Sequence, residues 1–125
     1  MGPEPEAVAR RFLIVDNAHF LAAARDLLER EGVVVVGVAS TSAEALRLAE
    51  ELRPDAILVD VDLGEESGFD LAQRLAADGQ ARVVLISAYA ESELVDLVTA
   101  SPAVGFVSKS KLSARAVAEL LGPPL

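Results

Sequence analysis

Asp16, Asn17, Asp60, Asp62, Ser87 and Lys109 share a placement: each stands at the end of a short apolar run, or one or two residues beyond it. "FLIV" leads into Asp16 and Asn17, "AILV" into Asp60 and then Asp62, "RVVLI" into Ser87, and "VGFVS" into Lys109. Continuous apolar runs suit strands buried on both faces. Packing gives such strands no reason to end in carboxylates, an amide, a hydroxyl and an ammonium. At Asp16 and Asn17 two readings stand together: turn chemistry that opens the next helix, since Asx side chains cap helices, or a polar site under assembly. Gathered at one rim, the set supports a narrow chemistry. Oxygen ligands without His or Cys favour a hard cation such as Mg²⁺, which uses one or two carboxylates and keeps several waters. An Asp beside it can act as nucleophile and form an acyl phosphate. Lys109 and Ser87 would hold the phosphoryl oxygens. No glycine-rich phosphate loop is present, so a bound nucleotide is not indicated.

The elements that must position these residues alternate along the chain. "FLIV", "VVVVGV", "AILV", "RVVLIS" and "VGFVS" read as five strands. Between them lie helical patterns. The segment from Ala18 to Glu31 carries Phe20, Ala23, Ala24 and Leu27 at helical spacing and stops at Gly32. "TSAE" (Thr41 to Glu44) is a capping box before Ala45, Leu48, Ala49 and Leu52, and Pro54 ends that helix. "SGFD" (Ser67 to Asp70) caps a third helix with Gly68, Leu71, Ala72 and Leu75 on one face and Gly79 as terminator. A fourth helix is expected from Glu91 to Thr99, closed by Pro102, and a fifth from Leu112 to Leu121. Five βα units with right-handed crossovers give an α/β, doubly wound, mostly parallel sheet. Ligands of such sheets bind outside the carboxyl ends of the strands, where the six residues would meet.

Composition bounds the rest. The chain has 125 residues, 52% apolar but only 4% aromatic, so one domain with a core of Val, Leu, Ile and Ala is expected. Residues 1–10 read as a tail and 11–122 as the domain. A net charge of -9 disfavours nucleic acid or an anionic membrane as a direct partner. With no Cys there is no disulfide framework, in keeping with a cytoplasmic location. "MGPEPEA" is acidic and unlike a signal peptide, and "VVVVGVA" is too short to span a bilayer.

"FLIVDN", "DAILVDVDLGEESGFDLAQRL", "VVLISA" and "GFVSK", in this order and spacing, resemble the receiver domain of bacterial two-component response regulators from Arg11 to Leu121. The resemblance implies a flavodoxin-like five-stranded sheet of order 2-1-3-4-5 with five helices. It implies Asp60 as phosphoacceptor, Asp16 and Asn17 as the acidic-pair positions for Mg²⁺, and the Asp62 carbonyl as a further metal ligand. Ser87 becomes the switch hydroxyl, Lys109 the conserved-type lysine and Phe106 the switch aromatic. A sensor histidine kinase would donate the phosphoryl group. A downstream effector or output domain would read the surface of helix 4, strand 5 and helix 5, which could also join two copies. The implied protein is a signalling switch and not an enzyme. Three positions depart from the pattern: Asn17 replaces an acid, Asp62 is an unusual carboxylate, and Gly64 stands where Pro is common.

Two other readings compete. A pseudo-receiver, binding partners without phosphorylation, is favoured by Asn17 and opposed by Asp60, Ser87 and Lys109. A haloacid-dehalogenase-like phosphatase would want a second acid two residues after its nucleophile, where Asp62 sits. That family carries its nucleophile on the first strand, however, and not on the third. His19, the single histidine, reads as a surface residue at the start of helix 1.

Overall fold

Strand β1 (Arg11–Val15) lies inside the sheet, between two neighbours, because its apolar residues, Phe12 to Val15, must be covered on both sides. The computed structural model describes residues 10–77, 81–89 and 91–122. β1 pairs in parallel with β2 (Val34–Ala39) on one side and β3 (Ala56–Asp60) on the other. β4 (Arg82–Ser87) and β5 (Gly105–Ser108) extend the sheet, giving the order β2-β1-β3-β4-β5 with every pairing parallel. Five helices connect and cover it: α1 (Ala18–Arg30), α2 (Ser42–Leu52), α3 (Gly68–Ala77), α4 (Val95–Ala100) and α5 (Ala114–Leu121).

Alternate residues of a strand face opposite sides, and β1 divides its side chains accordingly. Phe12 and Ile14 pack with Leu28 of α1 and with Val117 and Leu121 of α5. Leu13 and Val15 pack with Ala45 of α2 and with Leu71 and Leu75 of α3. The four residues expected to form the α3 face are all buried. On α1 the stripe is displaced from expectation: Ala24 and Leu28 are buried while Ala23 faces solvent.

Other differences have local causes. The fourth helix was expected from Glu91 to Thr99; a turn of 3-10 helix at Glu91–Glu93 precedes an α-helix that begins only at Val95. No side chain caps α4 and none of its residues is fully buried, so tertiary packing does little to extend it. The fifth helix starts at Ala114 and not at Leu112, because the Ser113 hydroxyl accepts from Ala116 N at 3.0 Å and Leu112 turns into the core. Arg10, expected in the tail, donates through its guanidinium to the Gly122 carbonyl. Residues 1–9 and Gly79 lie outside the described residues.

Between β3 and α3 the chain forms a two-stranded antiparallel ribbon, Asp62–Leu63 with Glu66–Ser67, which the sequence reading missed. Its two-residue turn places Gly64 first, at φ +82, a conformation that favours glycine. Ser67 then caps α3, its Oγ accepting from Phe69 N at 3.1 Å and Asp70 N at 3.3 Å. α3 begins pressed against the end of β3: Gly68 N donates to Val61 O at 2.9 Å, and a Cβ on Gly68 would lie 1.9 Å from Asp60 O. Backbone faces backbone there, so a methyl group cannot be absorbed by a side-chain rotation. Gly68→Ala is expected to destabilise the fold by about 1–3 kcal/mol or more, read as a lower midpoint of chemical denaturation. An unchanged midpoint would mean that the junction yields freely.

Candidate functional site

The parallel register brings the strand ends level. Val15 pairs with Val59, Asp60 with Ile86 and Ser87 with Ser108, so the residues that follow β1 and close β3, β4 and β5 share one rim. Lys109 leaves β5 in a 3-10 turn and reaches back across that rim. Its Nζ donates to Asp16 Oδ1 at 3.0 Å and to Asp60 Oδ2 at 3.0 Å. Asp16 has no solvent exposure and Asp60 only 3%. One ammonium therefore serves two buried carboxylates.

The backbone supplies part of what the lysine does not. Asn17 N donates to Asp16 Oδ1 at 2.6 Å and Asp62 N to Asp60 Oδ1 at 3.2 Å. Asp16 Oδ2 lies 3.0 Å from Lys109 Nζ yet receives no hydrogen bond, the geometry favouring its sister oxygen. Burial, reinforced by neighbouring Asp60, pushes the Asp16 pKa up to about 6, against the opposing hydrogen bonds from Lys109 and Asn17 N. Burial alone would lower the pKa of Lys109; the two carboxylates outweigh it and hold the ammonium above its ordinary value.

The remaining candidates differ in burial and partners. Ser87 is buried at 1% exposure, and its Oγ accepts from Tyr89 N at 2.9 Å, a contact that leaves the O–H bond able to turn. Phe106, at 9% exposure, sits in the core layer with Leu71, Leu75 and Leu85. The ring thus already lies inside the core. Asp62 is exposed, and its Oδ1 accepts from Gly64 N at 3.0 Å, fixing the ribbon turn. His19 is exposed at the start of α1.

Asn17 has a structural task at the start of α1. Its Oδ1 caps α1, accepting from His19 N at 3.0 Å and Phe20 N at 3.3 Å. The amide carbonyl there satisfies two otherwise orphaned helix donors. Among the described residues no group of three or more His, Cys, Asp or Glu is placed to hold a metal. A pair of carboxylates nevertheless fits Mg²⁺, which needs only one or two and retains water. The unbonded buried oxygen of Asp16, in a pocket with more carboxylate than ammonium, fits such a cation too.

Sequence reading missed one neighbour of the site. The Lys109 ammonium lies 4.5 Å from the centroid of the Phe20 ring. Phe20 was visible only as an apolar position on α1, and nothing local links it to Lys109.

A parallel sheet of this winding, with its polar residues beyond the carboxyl ends of the strands, defines the flavodoxin-like class. The model of the response regulator receiver domain family matches residues 12–120, and the chain belongs to that family. It is 33% identical over 104 residues to the transcriptional regulatory protein PdtaR of Mycobacterium tuberculosis, covering 82% of this chain and 51% of that protein. The chain thus spans about half the length of this relative. It is 29% identical to the chemotaxis protein CheY of Thermotoga maritima, over 90% of this chain and 96% of that one. Among solved structures it resembles a response regulator from Burkholderia pseudomallei, described with a phosphorylated aspartic acid, a calcium ion and citrate. That match has a TM-score of 0.76 and 28% identity, over 89% of this chain and 66% of that one.

The raised pKa of Asp16 has a consequence for stability. An acid whose pKa is higher folded than unfolded holds its proton more firmly in the folded state. Its contribution therefore favours folding below about pH 4 and is lost as pH rises through about 6. The loss at neutral pH is on the order of 2–3 kcal/mol. Asp16→Asn is expected to flatten the pH dependence in that window and to leave the metal-free protein at least as stable as wild type at alkaline pH. Denaturant titrations across the window test this. A variant that loses stability at alkaline pH would mean that the Lys109 pairing outweighs burial and repulsion.

Proposed function

We propose that this receiver domain takes a phosphoryl group onto Asp60 from the phosphohistidine of a sensor kinase. The observation that carries the reading is the contact of Lys109 with Asp60 in a pocket where two buried carboxylates share one ammonium. An Asp60 carboxylate oxygen attacks phosphorus, an O–P bond forms, and the N–P bond to the donor imidazole breaks. The imidazole nitrogen leaves with the bonding pair. Lys109 neutralises phosphoryl oxygen in place of the carboxylate charge that the new bond has consumed. Ser87 turns its O–H toward a phosphoryl oxygen while keeping the Tyr89 amide as donor to its own oxygen. Bound Mg²⁺, held by Asp16, Asp60 and the Asp62 carbonyl, would supply positive charge between carboxylates and phosphoryl oxygens. Asn17, with its oxygen committed to the helix cap, contributes at most through a water. The similar Burkholderia pseudomallei protein, with its phosphorylated aspartic acid and calcium ion, supports the same pairing of groups here.

In this reading the domain, residues 11–122, is a signalling switch and catalyses no reaction on a separate substrate. Its output surface is the α4–β5–α5 face, where Val95 and Leu97 are exposed at 51% and 53%. Phosphorylation would reach that face through Ser87 and Phe106, and an effector, an output domain or a second copy would read it. The net charge of -9 argues against direct contact with nucleic acid. No helix among the described residues is long and apolar enough to cross a membrane, and the reading places the protein in the cytoplasm with its kinase's transmitter domain.

Intact-mass analysis after incubation with acetyl phosphate and Mg²⁺ tests the acceptor. Wild type is expected to gain one phosphoryl group and Asp60→Ala none. Labelling that persists in Asp60→Ala, or its absence from wild type with both acetyl phosphate and a cognate kinase, would remove the assignment.

A further inference from the structure

Lys109 must hold a long, flexible side chain across the rim to set its ammonium against Asp16 and Asp60. The ring of Phe20 lies beside that ammonium, its centroid 4.5 Å from Nζ, close enough for attraction between the cation and the negative face of the ring. The Lys109 side chain is only 15% exposed. Desolvation of this extent strengthens a cation–π contact relative to one at an open surface.

Phe20 is itself held on two sides. Its backbone N–H donates to Asn17 Oδ1 at 3.3 Å, so the helix cap fixes where the first turn of α1 sets this residue. Its half-buried ring also packs against the core layer containing Phe12, Ile14 and Leu28. A connected path therefore runs from Asn17 through Phe20 to the Lys109 ammonium and on to Asp16 and Asp60.

We infer that Phe20 is a positioning residue: its aromatic face, and not merely its apolar bulk, holds the Lys109 ammonium against Asp16 and Asp60. The inference rests on the reading of Lys109 as the group that meets the phosphoryl oxygens. It also gives Asn17 a purpose at the site without ligating metal, since its cap seats the ring. A leucine at position 20 would fill the space but offer no negative face, whereas a tyrosine would keep the face.

Wild type, Phe20→Leu and Phe20→Tyr separate the two roles, with Phe20→Met replacing the leucine variant if melting shows that it is not folded. The first readout is ¹⁵N relaxation of the Lys109 ammonium in the metal-free protein. Order is expected to fall in Phe20→Leu and to be retained in Phe20→Tyr. The second is the rate of acetyl phosphate labelling in Mg²⁺ under intact-mass detection. It is expected to drop about three- to tenfold in Phe20→Leu and to be rescued in Phe20→Tyr. A leucine variant with wild-type Lys109 order and wild-type labelling would make Phe20 ordinary packing and overturn the inference. Slower labelling with unchanged Lys109 order would overturn it too, by removing the lysine from the path. If wild type is not labelled at all, the phosphoacceptor reading fails, while the relaxation comparison still decides whether Phe20 holds Lys109.

Discussion

Two buried carboxylates sharing one ammonium set the terms for everything around them. Asp16 and Asp60 repel one another, and burial denies both the solvation that ordinarily stabilises such charges. Lys109 offsets part of this, and the amides of Asn17 and Asp62 offset more. What remains is a pocket with negative charge to spare and an unbonded oxygen on Asp16. In the proposed function, that local cost is what would make the pocket receptive to a cation and then to a phosphoryl group. Functional sites commonly hold perturbed groups of this kind.

The fold exists around this site as a set of constraints on position. Parallel register levels the ends of the strands, so residues distant in sequence arrive at one rim. α3 starts against the Asp60 carbonyl through Gly68, and the Gly64 turn folds the intervening ribbon back on itself. On the other side, the Asn17 cap sets the start of α1 and with it the Phe20 ring. The layers beneath are tightly buried, whereas α4 buries none of its residues completely. The rigid part of the molecule thus lies under the acidic pocket, and the less supported part lies where a response could be displayed.

Much of this was legible in the sequence for a definite reason. Strands covered on both faces must be continuous apolar runs, so the polar residues that terminate them stand out. That contrast made the rim residues and the sheet readable together. α3 was readable because Gly68, Leu71, Ala72 and Leu75 all face the core. The expected α4, Glu91 to Thr99, exceeds the α-helix at its start, where a 3-10 turn stands and no burial sustains a longer helix. Ser113 was an available start signal for α5 that apolar spacing from Leu112 obscured. Asn17 could not be resolved by residue type, since the same amide can cap a helix or face a cation. The Phe20–Lys109 contact was hidden for a different reason: it joins the first helix to the last strand and has no local signature.

The crowding of two buried carboxylates around one ammonium is tested most directly by following the Asp16 carboxyl carbon by ¹³C NMR through a pH titration of the metal-free protein. The Asp16 midpoint is expected near 6, well above its ordinary 3.8, and it should fall when Asp60→Asn removes the neighbouring charge. A midpoint at the ordinary value in wild type would contradict the account, because burial and Asp60 would then not outweigh the hydrogen bonds from Lys109 and Asn17 N.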